Sequence, residues 1–288
     1  MRLTSRRRGD PVELSAPIGD GLEVKISDRP RGDEYPTARL QRGLLLLHEG
    51  RDLAEEGVGF GVPILKRGAL TVFPGAVQLD ERRDGPRRVI RAAFQMNLVE
   101  RLAGTEGRGP SSVAFYALRD LLAALHRRLP ALRGPLTMVS NIVRQRRGWV
   151  TTFEETDTCA TLAVTYDING DDARIGITID TTGLSERGIS EVVVMNELGA
   201  RQFDQYLDSD GLRLRGRRIG TWHDVRAARA CFASTGSRVA FSVRQVEGAR
   251  LYRGRELVGS RLAWSGFGYS LRPQRESFAF EVRIERAP

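Results

Sequence analysis

Eight side chains in this sequence are of types, and at spacings, that could do chemistry. Glu55 and Glu56 adjoin a glycine-rich stretch, Gly57-Val58-Gly59-Phe60-Gly61-Val62-Pro63. A carboxylate beside bare backbone can act as a general base or accept a hydrogen bond from a hydroxyl. If the stretch is extended, successive side chains point to opposite faces, so at most one of the two glutamates enters a given cleft. His48, followed by Glu49 at the end of the apolar run 44–47, is a candidate acid or base nearby. His223 stands between Trp222 and Asp224, combining a stacking ring, a group that titrates near neutrality and a carboxylate. Three consecutive residues do not by themselves make a hydrogen-bonded relay. The catalytic candidates are therefore Glu55, Glu56, His48 and His223.

The other four candidates would bind rather than react. In the segment 262–269, Leu262, Trp264, Gly266 and Gly268 fall on one face of a strand, with Ser265, Phe267 and Tyr269 on the other. Trp264 beside bare glycines makes a flat platform on which a sugar or aromatic ring can stack, and Trp222 is a second such ring. Glu197 and Arg201 lie in a densely polar stretch, 196–206, that follows an apolar strand at 192–195. An arginine fork there matches the geometry of a carboxylate. Each feature also has a plainer explanation, which is preferred. Glycine weakens a strand, and three in register are accounted for by a bulky neighbour packed over the backbone as well as by a ligand approaching it. A paired Glu is ordinarily an exposed loop.

Several familiar templates are missing. There is no Gly-x-Ser-x-Gly elbow, no Gly-x-x-x-x-Gly-Lys phosphate loop and no His-Glu-x-x-His zinc helix. Two cysteines, Cys159 and Cys231, and three dispersed histidines give no zinc-type spacing. The fragments Asp208-Ser209-Asp210-Gly211 and Asp167–Asp172 lack the remaining ligand positions of a calcium loop. No metal and no cofactor are expected. The net charge of +9 invites a polyanion partner, but Lys25 and Lys66 are the only lysines among 45 basic residues. Phosphate-binding surfaces usually mix both cations. So lopsided a ratio points to codon bias in a GC-rich genome. The arginine clusters at 6–8, 144–147 and 215–218 are short and carry no interleaved aromatics, so nucleic acid is not expected as a partner. No apolar run approaches the roughly 18 residues of a membrane span, and no hydrophobic stretch follows the basic N-terminus. A cytoplasmic protein with free, buried thiols and no membrane partner is expected.

Period-two alternation must supply the scaffold. Ile90, Ala92, Phe94, Met96 and Leu98 share one face; Leu162, Val164, Tyr166 and Ile168 repeat the pattern, as do Ile175, Ile177 and Ile179. Val239, Phe241 and Val243, then Phe278, Phe280, Val282 and Ile284, complete it. Strands with one buried face are typical of antiparallel sheets. Asn169-Gly170 and Asp84-Gly85-Pro86 mark hairpin turns. One stretch breaks the pattern: Phe115, Leu118, Leu122, Leu125 and Leu129 follow helical spacing after the capping run Pro110-Ser111-Ser112. The fold expected is mainly β, a large antiparallel β-sandwich of the supersandwich type, with one amphipathic helix near residues 112–129. The 288 residues are read as a single large β domain, 1–288; the alternative is two β units, 1–104 and 136–288, joined by the helical segment.

The size, the strand count and the one intervening helix resemble large β-sandwich folds of the aldose-epimerase or carbohydrate-lyase kind. The likeness is architectural and covers most of the chain. The His and Glu arrangement of epimerases does not map onto these positions, so it carries no catalytic residues over. The expected function is binding of a small polar ligand such as a carbohydrate or a carboxylated metabolite. The alternative is an enzyme on the same scaffold, a carbohydrate isomerase, lyase or hydrolase using Glu and His acid–base chemistry. A nucleic-acid-associated or scaffold protein comes third.

Overall fold

The computed structural model describes residues 12–30, 39–68, 70–103, 150–258, 262–273 and 277–287. The helix expected near 112–129 and the arginine clusters at 6–8 and 144–147 lie outside them. Antiparallel strand is the dominant element of the described residues, as the alternation requires. Strands β1 (Glu13–Pro17), β2 (Leu22–Ser27), β3 (Leu45–His48) and β4 (Arg51–Asp52) form a small sheet in chain order. A second sheet has fourteen strands. These are β5 (Gly59–Arg67), β6 (Leu70–Asp84), β7 (Arg87–Ala103), β8 (Val150–Asn169), β9 (Arg174–Asp180), β10 (Ile189–Gly199), β11 (Phe203–Asp208), β12 (Arg213–Arg215), β13 (His223–Asp224), β14 (Arg229–Ser234), β15 (Val239–Arg244), β16 (Ala249–Val258), β17 (Leu262–Leu271) and β18 (Ser277–Arg286). Their order across the sheet is β12-β11-β14-β15-β18-β9-β8-β7-β6-β5-β10-β17-β16-β13.

Aromatic contacts show that this sheet curls over on itself. Phe60 of β5 lies 5.5 Å from Phe241 of β15, and Phe267 of β17 lies 4.9 Å from Phe232 of β14. Tyr269 of β17 meets Phe280 of β18 at 4.7 Å. Strands far apart in sheet order thus face each other across one core, which makes a sandwich. The alternating residues fill it: Ile90, Ala92, Phe94, Met96 and Leu98 of β7 are all buried, as are Leu162, Val164, Tyr166 and Ile168 of β8. The small sheet closes one side, with Val24, Ile26, Leu44 and Leu46 in the same apolar cluster. Leu44 and Phe60 exchange backbone hydrogen bonds at 3.1 and 2.8 Å, which joins the two sheets.

Both hairpin turns join the strands expected of them, and one differs in detail. Gly85-Pro86 is a two-residue loop, with Asp84 opposite Arg87 and Gly85 at φ +57. Asn169 instead pairs with Arg174, so four residues intervene, and the left-handed position is Ala173 at φ +48. Both cysteines are free and half-buried. Burial pushes the Cys231 thiol up to about 12, with Glu285 adding to the effect. Among the described residues no helix is long and apolar enough to cross a membrane.

Candidate functional site

The segment after β4 is a turn, so Glu55 and Glu56 lie in a loop and not in an extended strand, but Glu56 is buried where an exposed pair is expected. The Asp52 side chain accepts a hydrogen bond from the Ala54 amide at 2.7 Å, and the Gly57 amide returns to the Ala54 carbonyl at 2.7 Å. Such local bonds compete with a sheet ladder. Glu55 takes φ +48, and β5 begins only at Gly59. Both glutamates can therefore reach the same partner. Arg201 Nη1 lies 2.8 and 3.0 Å from the two carboxylate oxygens of Glu56, and 3.5 Å from Glu55 Oε2. Gln202 donates to Glu55 Oε1 at 3.1 Å. A Cβ at position 199 would come within 2.6 Å of the Glu55 carboxylate, so glycine there lets the side chain lie flat on β10. Glu56 has only 5% of its side chain exposed against 41% for Arg201. A buried carboxylate needs such a partner.

Arg201 looks into a cleft of about 900 Å³. The β3–β4 hairpin contributes His48, Glu49 and Arg51 to its wall, and the β14–β15 turn contributes Ser234 to Arg238. Gln202 and Asp204 complete the side below Arg201. Asp204 is engaged by Arg215 Nε at 3.1 Å. The guanidiniums of Arg51, Arg201 and Arg238 thus share the cleft with a carboxamide and several hydroxyls. Sequence reading missed Arg51 and Arg238. The available signals were their turns, His48-Glu49-Gly50-Arg51 and Thr235-Gly236-Ser237-Arg238, each of which holds a residue at positive φ.

Behind the 53–58 turn lies Glu197. It shares a face of β10 with Met195 and Gly199, opposite Gly266 of β17. Only 6% of it is exposed. Burial pushes its carboxyl up to about 8; the Val58 amide, which hydrogen-bonds the charged form, opposes this, and the like charge of Glu256 adds to it. The same face carries Trp264, whose ring stacks on Trp222 at 4.7 Å and 27°. The rings also explain the glycines beneath them. A Cβ at Gly254 would come within 2.6 Å of the Trp264 ring, and one at Gly268 within 3.0 Å of Trp222. Trp264 is 5% exposed. Gly59 and Gly61 are likewise overlaid, by the Leu44 carbonyl and by Tyr166.

Seven of the eight candidates therefore fall into a chain of neighbours rather than one pocket. His48 and Arg201 line the cleft, Glu55 and Glu56 grip Arg201, and Glu197 lies two residues along β10 from the Glu55 contact. Trp264 and Trp222 continue the same sheet face. His223 does not line the cleft; its ring packs on Gly220, where a Cβ would come within 2.2 Å of Nε2. Among the described residues no group of three or more His, Cys, Asp or Glu is placed to hold a metal ion.

No protein-family model and no curated protein sequence matches this chain. Solved structures do resemble it in shape. One is an α-N-acetylgalactosaminidase from Bifidobacterium bifidum, 9% identical with a TM-score of 0.47; 96% of this chain is covered, and it spans 36% of that enzyme's length. Another is a galactose mutarotase-like protein from Lactobacillus casei, 11% identical with a TM-score of 0.37, covering 95% of this chain and 99% of that one.

Proposed function

We propose that this protein binds a small polar ligand carrying a carboxylate, such as a carboxylated carbohydrate or another carboxylated metabolite, with Arg201 as its anchor. The observation that supports this reading is the setting of Arg201. All its contacts to Glu55 and Glu56 run through Nη1, so the Nη2 edge is left for a ligand. A guanidinium held on one side keeps little rotamer entropy to lose when it binds on the other. Arg51 and Arg238 add positive charge around it, and Gln202 with the Ser234–Arg238 turn offers partners for hydroxyls.

Calorimetric titration with glucuronate and glucose, a pair that differs by one carboxylate, tests the reading. Glucuronate is expected to bind at least about tenfold more tightly, since a hydrogen bond to a charged group is worth roughly 1.5–3 kcal/mol. Arg201→Met should remove that preference, and Arg201→Lys should restore only part of it because the fork is lost. Equal affinities for the two sugars, or an unchanged preference in Arg201→Met, would overturn it. One observation favours an enzymatic reading as well: His48 lines the cleft with Asp204 and Glu49. A sugar converted by the wild type and left unchanged by His48→Ala would establish it.

A further inference from the structure

We propose that the ligand is longer than one ring: its carboxylated unit lies in the cleft at Arg201, and a second, uncharged and hydroxyl-bearing unit joined to it lies in a bay beside the β14–β15 turn. The placing of the first unit rests on the reading of Arg201 as ligand anchor; the bay adds a site and the kind of group it takes.

The bay holds about 220 Å³, against about 900 Å³ for the cleft. It is lined by Gln205 of β11, Ala233 and Ser234 at the end of β14, Thr235 and Arg238 of the turn, and Ala287 just after β18. Ser234, Thr235 and Arg238 line the cleft as well. The two spaces therefore meet along the turn, and a ligand in one can continue into the other. A single ring held at Arg201 leaves Gln205 untouched, because Gln205 does not line the cleft.

The lining decides what the bay can take. Strand β11 sends Tyr206 into the core, which turns its neighbour Gln205 outward. The Gln205 carboxamide and the exposed Thr235 hydroxyl have no hydrogen-bond partner among the described residues. Both groups donate and accept, as a sugar hydroxyl does. None of the lining residues is acidic, and the one cation, Arg238, borders the cleft too. The Ala233 and Ala287 methyls offer apolar surface to the C–H edge of a ring. The shared wall is also held in place. The Ser237 amide donates to Ser234 Oγ at 3.2 Å, and the Ala287 amide donates to the Arg238 carbonyl at 2.8 Å. Arg238 itself takes φ +53, a left-handed conformation uncommon for a residue with a side chain. A wall already fixed in this way loses little freedom when a ligand binds.

Calorimetric titration of the intact protein with glucuronate, and with two disaccharides in which glucuronate is joined by an α or a β linkage to O4 of glucose, tests the bay. At least one disaccharide should bind about tenfold more tightly than glucuronate, the effect of two hydrogen bonds between uncharged groups. Gln205→Ala should cut that ratio by about threefold or more, since one of the two bonds is lost. Ala287→Trp fills the bay from the end of the chain and should bring the ratio to about one, which gives a second reading. Disaccharides that bind no more tightly than glucuronate, or a ratio that both variants leave intact, overturn the bay. The two readings fail separately. Equal affinity for glucuronate and its disaccharides, with glucose weaker, removes the bay and keeps the anchor. A ratio that responds to Gln205→Ala while glucuronate and glucose bind alike removes the anchor and keeps the bay. Binding of none of these sugars overturns both.

Discussion

Replacing Gly61 by alanine is expected to destabilise the protein by about 3–4 kcal/mol. Two costs add. Gly61 sits at φ +74, a left-handed conformation that costs an L-residue roughly 1–2 kcal/mol. The new Cβ would also stand 2.8 Å from the Tyr166 ring, 3.0 Å from its hydroxyl and 3.2 Å from Ile177, and overpacking of that kind costs about 1–3 kcal/mol. Neither side can move freely. The Tyr166 hydroxyl donates to the Phe60 carbonyl at 3.1 Å, and the Gly61 amide donates to Asn196 Oδ1 at 3.1 Å. The ladder itself skips Gly61, since Met195 pairs with Val62 and Asn196 with Phe60. Urea denaturation of Gly61→Ala, Tyr166→Ala and the double variant separates the two costs. The clash should appear as a coupling energy of at least about 1 kcal/mol, because Tyr166→Ala costs less once the clash is already present. Strict additivity would mean that the ring is not what requires glycine here.

The same residue shows how far sequence reading reaches. The faces of β7, β8, β9, β15 and β18 were legible because one side of each strand meets a core and alternation records that directly. A bulky neighbour over the glycine stretch was the preferred explanation, and Tyr166 is that neighbour at Gly61. Its identity could not be read, because β8 lies about a hundred residues away in sequence and nothing local encodes the pairing. The way Glu55 and Glu56 come to share one partner is hidden in the sequence for a different reason. One side-chain bond, from Asp52 to the Ala54 amide, turns the chain before the strand begins. This let two adjacent glutamates share Arg201, which a regular strand forbids. The cleft was least legible. Its walls come from the β3–β4 and β14–β15 hairpins, brought together only because the large sheet curls. Arg51 and Arg238 look like two among many scattered arginines until that closure places them in one cleft with Arg201.

Raising the pH from about 5 to about 8 should weaken the wild-type fold by several kcal/mol, and Glu197→Gln should abolish that part of the dependence. The Glu197 carboxyl has an ordinary value of 4.5 and is pushed up to about 8 by burial, with Glu256 adding and the Val58 amide opposing. Below pH 4.5 both folded and unfolded chains carry the proton, and the group contributes nothing to pH dependence. Between the two values the unfolded chain has lost a proton that the folded chain keeps. Stability then falls by about 1.4 kcal/mol per pH unit. Above pH ~8 both forms are ionised and the loss levels off at its full size. Other shifted groups act outside this window. Asp180 is held below the usual carboxylate range by its hydrogen bonds with Thr182, so its contribution is complete before Glu197 begins to titrate. Cys231, at about 12, starts to contribute only where its unfolded thiol ionises, above the window. Urea midpoints for the two proteins, taken at intervals from pH 5 to 9, isolate the effect. The variant should match the wild type at the acid end and exceed it by several kcal/mol at the alkaline end. Parallel curves would mean that Glu197 has enough water or positive charge around it to ionise as an exposed carboxylate does, in contradiction to its 6% exposure.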